Sequence, residues 1–251
     1  MPEWDSAQYL KFHDERTQPC RDLAARIAMD APAGIIDLGC GPGNSTEVIA
    51  ARFPETAITG FDSSTDMIAT ARERHPGWRW ITGDIAHFAE GNDRYDLVFS
   101  NAALQWVPDH ERILPLLLQR AGVLAVQMPG NWAAPAHGVM REVAKRFGML
   151  ESVREWYTHD ENFYYDVLAP HCRQLDLWTT EYIHVMPDAA AIVEWYRGTG
   201  LRPFLQALPD GPTRDQFIAQ YQEAIRAEYP PRPNGQLLFP FRRLFLVAYA
   251  K

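Results

Sequence analysis

Ile35-Ile36-Asp37-Leu38-Gly39-Cys40-Gly41-Pro42-Gly43-Asn44 is the stretch that decides the fold. An apolar run ends in an acid, glycines then alternate, and a helical pattern begins at Ser45. Strand, glycine turn and helix in that order open a βαβ unit that holds a nucleoside cofactor at the carboxyl end of its first strand. Glycine lets the backbone approach a ligand with no Cβ in between. The dinucleotide-binding fingerprint requires a further glycine at position 44, where this chain has Asn44.

Working outward, the pattern predicts strands over 34–37, 57–62, 78–83, 95–101 and 123–128, separated by helices over 45–53, 64–74 and 109–120. The strand over 95–101 is continuously apolar at its centre, as in a sheet covered on both faces. This alternation predicts an α/β fold, a doubly wound and mostly parallel sheet. Upstream, 4–29 reads as helix divided at Pro19. Downstream, 135–149 reads as a helix, 176–186 as a strand, 189–197 and 214–229 as helices, and 243–250 as a final strand. The expected organisation is a single domain over 1–251, its sheet completed to seven strands. An N-terminal helical lid covers 1–30, a cofactor-binding core 31–150, and a helical cap is inserted over roughly 188–240.

At 251 residues the chain is long enough for one large α/β domain with such an insertion. Its net charge of -8 argues against nucleic acid or an anionic membrane as partner, but leaves room for a small anion held by local arginines. No apolar run reaches the ~18 residues of a membrane helix. Met1-Pro2-Glu3-Trp4-Asp5 has neither the basic nor the apolar region of a signal peptide. Cys20, Cys40 and Cys172 follow no disulfide or zinc spacing. A cytoplasmic location and no metal are the expectations. The sequence does not set an oligomeric state, and a monomer is compatible with it.

Asp37, Asp62 and Asp84 close three successive predicted strands, so all three come to one sheet edge. Asp62 can accept from both ribose hydroxyls, and Asp84 from an adenine amine beside the Ile85 N–H. Met67 can pack on a base or fill the core. Each acid can instead cap the helix that follows it, but the three together with the glycine loop point to a nucleoside site. A nicotinamide-dependent reductase would explain Asp62, with less use for Asp84 or for Gly43 without a glycine at 44.

The Asp37-to-Gly43 loop is similar to the S-adenosylmethionine (SAM) loop of class I methyltransferases. The chain nearly end to end resembles the trans-aconitate 2-methyltransferases, SAM-dependent enzymes that esterify a carboxylate. The specific stretches are Trp4-Asp5 with Tyr9-Leu10-Lys11-Phe12, Asp37 through Thr46, Asn101-Ala102-Ala103-Leu104-Gln105-Trp106, Val126-Gln127-Met128-Pro129, Glu194 through Phe204, and Leu238 through Phe245. Asn101 through Trp106 is also similar to a segment of methyltransferases that act on the malonyl group of acyl carrier protein. That segment therefore supports carboxyl methylation more than any one acid.

The resemblance implies SAM as cofactor and the monomethyl ester of trans-aconitate as product. The implied cofactor residues are Asp37, Gly39, Cys40, Gly41, Asp62, Ser63, Met67, Asp84, Ile85 and Asn101, with Tyr9 and Arg16 closing over the methionine carboxylate. Gln105 and Trp106 would line the substrate side, and Arg197, Arg202 and Arg242 would hold the remaining carboxylates of a small tricarboxylate. Adjacent strand residues face opposite ways, so Arg242 and Arg243 should not both point inward. No residue is needed as general base, because a carboxylate is ionised at neutral pH. The alternatives are a carboxyl methyltransferase for another acid, such as a malonyl thioester on acyl carrier protein, and a non-catalytic SAM-binding module.

Overall fold

The computed structural model describes residues 13–149 and 156–251, with side chains from residue 17 onward. Along the chain run α1 (His13–Arg26), β1 (Gly34–Leu38), α2 (Asn44–Arg52), β2 (Ala57–Asp62), α3 (Thr65–Arg74), β3 (Arg79–Thr82) and α4 (Ile85–Glu90). There follow β4 (Tyr95–Asn101), α5 (His110–Gln119), β5 (Ala121–Pro129), α6 (Pro135–Arg146), α7 (Glu161–Leu168) and β6 (Cys172–Met186). The last elements are α8 (Ala189–Arg197), α9 (Arg202–Ala207), α10 (Pro212–Glu228) and β7 (Leu237–Ala250). The predicted alternation is present, with α4, α7 and α9 added. Each of these three spans eight residues or fewer, too short to show a helical repeat in sequence.

Helix α1 runs through Pro19 instead of breaking there. A proline inside a helix removes one backbone N–H. Here Thr17, before the proline, and Cys20, Leu23 and Ala24, after it, are buried, and their packing holds the helix on both sides of it.

The seven strands form one sheet in the order β3-β2-β1-β4-β5-β7-β6. Strands β1 to β5 pair in parallel, and β7 runs antiparallel to β5. Strand order reverses between β1 and β4, so a crevice opens at their carboxyl ends, where ligands bind in open α/β sheets. One face of the sheet carries Leu38, Val98, Leu124, Val126, Met128, Leu244 and Leu246 against α5 and α7. The other carries Ile35, Asp37, Leu97, Phe99, Ala125 and Val247, with α1 packed over β5.

The chain divides into two compact units: 1–130 with 157–180 and 243–251, and 131–156 with 181–242. The second unit contains α6, α8, α9, α10 and one end each of β6 and β7. In its interior α10 packs on α6 and α8, and Tyr196, Tyr221, Phe204, Phe217 and Phe239 are all buried. The start of α6 is tied down by two tyrosines: Ala136 N–H donates to Tyr229 Oη at 3.2 Å, and Tyr221 Oη donates to the Ala136 carbonyl at 3.3 Å. His137 is ringed by Trp132, Trp156 and Tyr196, and burial lowers its pKa to about 3, so it is neutral at physiological pH. No helix among the described residues is long and apolar enough to cross a membrane.

Candidate functional site

The site grows from the glycine loop after β1. Gly39 N–H donates to the Phe61 carbonyl at 2.7 Å, and Cys40 N–H shares that carbonyl at 3.2 Å. Gly39 has a φ of +74°, and a Cβ there would lie 2.1 Å from the Ala103 Cβ. Only glycine lets the β1 loop and the β4 loop meet this closely. Gly41 has a φ of +55°, but a Cβ there would meet no atom of the described residues within 4 Å. Its missing side chain leaves open the space beside the loop.

Helix α2 begins without a side-chain cap. Gly43, at φ +99°, holds the cap position, just ahead of Asn44 and Ser45. The hydroxyls of Ser45 and Thr46 turn back to Asp37 instead, donating to its Oδ2 at 2.6 and 2.7 Å. Asp37 is fully buried, and its Oδ1 has no hydrogen-bond partner among the described residues. Burial pushes its carboxyl up to about 6, against the two hydroxyls that favour the anion. Asp37 therefore holds the loop from beneath and is not among the residues that line the cavity.

Asp62, at the end of β2, accepts from Gly41 N–H at 2.9 Å and from Ser64 N–H at 2.8 Å, one on each carboxylate oxygen. Burial raises its pKa as well. Ser64 caps α3, accepting from Met67 N–H at 3.3 Å. Asp84 caps α4 through Oδ1, which accepts from Ala86 and His87 N–H at 2.8 and 3.1 Å. The cap and site readings of these acids are thus compatible, because each carboxylate keeps lone pairs beyond those its helix or loop uses.

These elements enclose a cavity of about 350 Å³. Of the sequence-predicted cofactor residues, Gly39, Cys40, Gly41, Asp62, Ser63, Met67, Asp84, Ile85 and Asn101 line it together. Thr17 and Cys20 from α1, with Ala102, Ala103 and Val107 after β4, line it too. The α1 pair carried no motif in sequence. Tyr9 lies outside the described residues, as does the side chain of Arg16. Among the described residues, no three His, Cys, Asp or Glu side chains cluster as a metal site would.

The substrate-side predictions separate. Trp106 lines the cavity, but Gln105 does not: it is buried, its Nε2 donating to the Ala102 carbonyl at 2.7 Å and its own carbonyl accepting from Tyr157 N–H at 2.9 Å. This turn rests on His110, whose Nε2 is 2.9 Å from the Leu104 carbonyl and whose Nδ1 is 2.9 Å from Tyr164 Oη. A carbonyl only accepts, so the proton sits on Nε2 and the tyrosine hydroxyl donates to Nδ1. Arg197 is exposed and pairs with Glu194 at 3.2 Å. Arg202 is half-buried, and burial lowers its pKa. Arg242 is exposed while Arg243 is buried, so strand alternation turns the second arginine, and not the first, inward.

Glycine loop, strand-end acids and cavity at the sheet's switch point define the class of Rossmann-like methyltransferases. Residues 35–120 match the family model described as methyltransferase domain. The YcgJ protein of Bacillus subtilis superposes with a TM-score of 0.58 at 16% identity, covering 93% of this chain and 99% of that one. A phosphoethanolamine N-methyltransferase of Haemonchus contortus, solved with S-adenosylhomocysteine, has a TM-score of 0.57 at 14% identity and covers 93% of this chain and 53% of its own. At such identities the likeness establishes the fold. The trans-aconitate 2-methyltransferase of Azoarcus sp. strain BH72 is 48% identical over 255 residues, covering 99% of both chains. The chain belongs to the trans-aconitate 2-methyltransferase family.

Two glycine variants should separate loop packing from ligand space. Gly39→Ala, strained and overlapping Ala103, should lower stability by about 2–4 kcal/mol. Gly41→Ala should cost about 1 kcal/mol yet weaken S-adenosylhomocysteine binding at least tenfold; urea denaturation and calorimetry measure the two effects. Asp37 adds a pH signature. Its folded pKa exceeds the unfolded value, so the native state binds the extra proton and stability falls as pH rises from about 4 through about 6. Asp37→Asn should lack this loss, gaining on the order of 3 kcal/mol relative to the parent between pH 4 and 7.5 in urea titrations.

Proposed function

We propose that this chain transfers a methyl group from SAM to a carboxylate of trans-aconitate, forming the monomethyl ester. The observation that carries this is near end-to-end identity of 48% with a trans-aconitate 2-methyltransferase, joined to a cavity built around the glycine loop. The residues fit the cofactor: the cavity is open where a Gly41 Cβ would stand, and Asp62 and Asp84 border it with acceptors for hydroxyl and amine donors. Met67 and Ile85 supply apolar walls for a base. SAM, when bound, supplies an electrophilic sulfonium methyl, so the O–CH3 bond forms as the S–CH3 bond breaks and a neutral thioether leaves.

The protein's own tasks are to orient and to exclude water. The attacking carboxylate is already an anion at neutral pH, so no side chain must take a proton. Holding the two reactants in line can contribute about 7–11 kcal/mol. Trp106 and Val107 border the cavity on its β4 side and give that wall apolar side chains. The division into an N-terminal lid over residues 1–30 and a helical cap inserted over roughly 188–240 remains part of this reading. The same reading places the enzyme in the cytoplasm, acting on a free small acid and on neither nucleic acid nor membrane.

Mass spectrometry of a reaction with SAM and equimolar trans-aconitate, cis-aconitate, citrate, isocitrate and malonate tests this proposal. A single monomethyl ester of trans-aconitate is the expected product. Ester from another acid in preference, or from none while S-adenosylhomocysteine still binds, would overturn the substrate and leave the fold.

A further inference from the structure

Three polar side chains stand in a row across β4, β5 and β7. Asn101 lies opposite Gln127 in the parallel pair, and Gln127 and Pro129 lie opposite Phe245 and Arg243 in the antiparallel pair. Opposed residues project from the same face of a sheet, and every second residue along a strand repeats that face. Asn101, Gln127 and Arg243 therefore share one face at the carboxyl ends of β4 and β5. The intervening Val126, Met128 and Leu244 belong to the apolar core of the opposite face.

The row begins at the cavity, which Asn101 lines, and runs away from the glycine loop. All three residues are buried: Asn101 is 8% exposed, Gln127 0% and Arg243 4%. Among the described residues, neither amide atom of Gln127 has a hydrogen-bond partner, and neither has Asn101 Oδ1. Buried amides without partners are costly and rare, and a leucine would fill the Gln127 position without that cost. A buried guanidinium beside such an amide is a combination suited to a carboxylate, which accepts from both.

We propose that Arg243 and Gln127, with Asn101 between them and the cofactor cavity, receive a substrate carboxylate other than the one that is methylated. This rests on the proposed function. The guanidinium gives its fork to the anion, and the Gln127 amide gives a second N–H from the adjacent strand. Gln127 and Arg243 are diagonal neighbours, about 7–8 Å apart at the backbone, within reach of one bound carboxylate. The row thus acts on the choice of acid and leaves cofactor binding to the glycine loop.

The test is calorimetric titration of trans-aconitate into protein saturated with S-adenosylhomocysteine, for the parent, Gln127→Leu and Arg243→Lys. Both variants should bind the acid at least tenfold more weakly, with S-adenosylhomocysteine affinity within twofold of the parent. Gln127→Leu should not lower the melting temperature, which a purely structural glutamine would. Mesaconate, itaconate and trans-glutaconate each lack a different one of the three carboxylates of trans-aconitate. For one of the three, the loss of affinity caused by either substitution should vanish, because the group that the row holds is already missing. Unchanged trans-aconitate affinity in both variants, or equal losses for all four acids, would overturn the inference alone. A parent that neither binds nor esterifies trans-aconitate would overturn the substrate reading and this inference with it.

Discussion

Asp62 accepts one backbone N–H on each carboxylate oxygen, from Gly41 in the glycine loop and from Ser64 at the start of α3. That pair of bonds joins the first two βα units beside the switch point and fixes one wall of the cavity. Asp37 secures the same loop from below through Ser45 and Thr46. Charge-assisted bonds of this kind contribute roughly 1.5–3 kcal/mol each, against the cost of burying the carboxylates. The raised pKa of both acids is the visible sign of that cost.

The two acids thus do work that a cofactor would otherwise have to do. A loop that is shaped in advance loses less conformational freedom when a ligand arrives. Asp84 follows the same economy, since one oxygen caps α4 while the residue still borders the cavity. Methyl transfer to a carboxylate makes few chemical demands beyond this, because nucleophile and leaving group need no proton. Selectivity then depends on which acid is held, and on the groups that hold its other carboxylates.

Much of this was legible in the sequence. The Asp37-to-Gly43 stretch, with acids at 62 and 84, marks the cofactor edge because strand ends and glycine turns are local features. The partners of Asp37 were not legible: a strand-end acid looks the same in sequence whether it faces a ligand or two hydroxyls on the next helix, as Asp37 does. Gly43 as helix cap was hidden for a similar reason, since Asn44 and Ser45 are better caps by side chain and only a left-handed φ favours the glycine. Thr17 and Cys20 reach the cavity from α1, which no spacing signals. The arginines show the limit most clearly. Strand alternation says that only one of Arg242 and Arg243 turns inward, but not which, because that depends on how β7 registers against β5. The Gln127–Arg243 row becomes visible only once that register is known.

Amide hydrogen exchange across residues 39–46, with and without S-adenosylhomocysteine, tests most directly whether the loop is shaped before its ligand arrives. The N–H groups of Gly39, Cys40 and Gly41 are already bonded within the protein. The account predicts slow exchange there in the free protein and only a modest further slowing on binding. Rapid exchange that becomes slow only with ligand would mean that the ligand, and not Asp37 and Asp62, shapes the site.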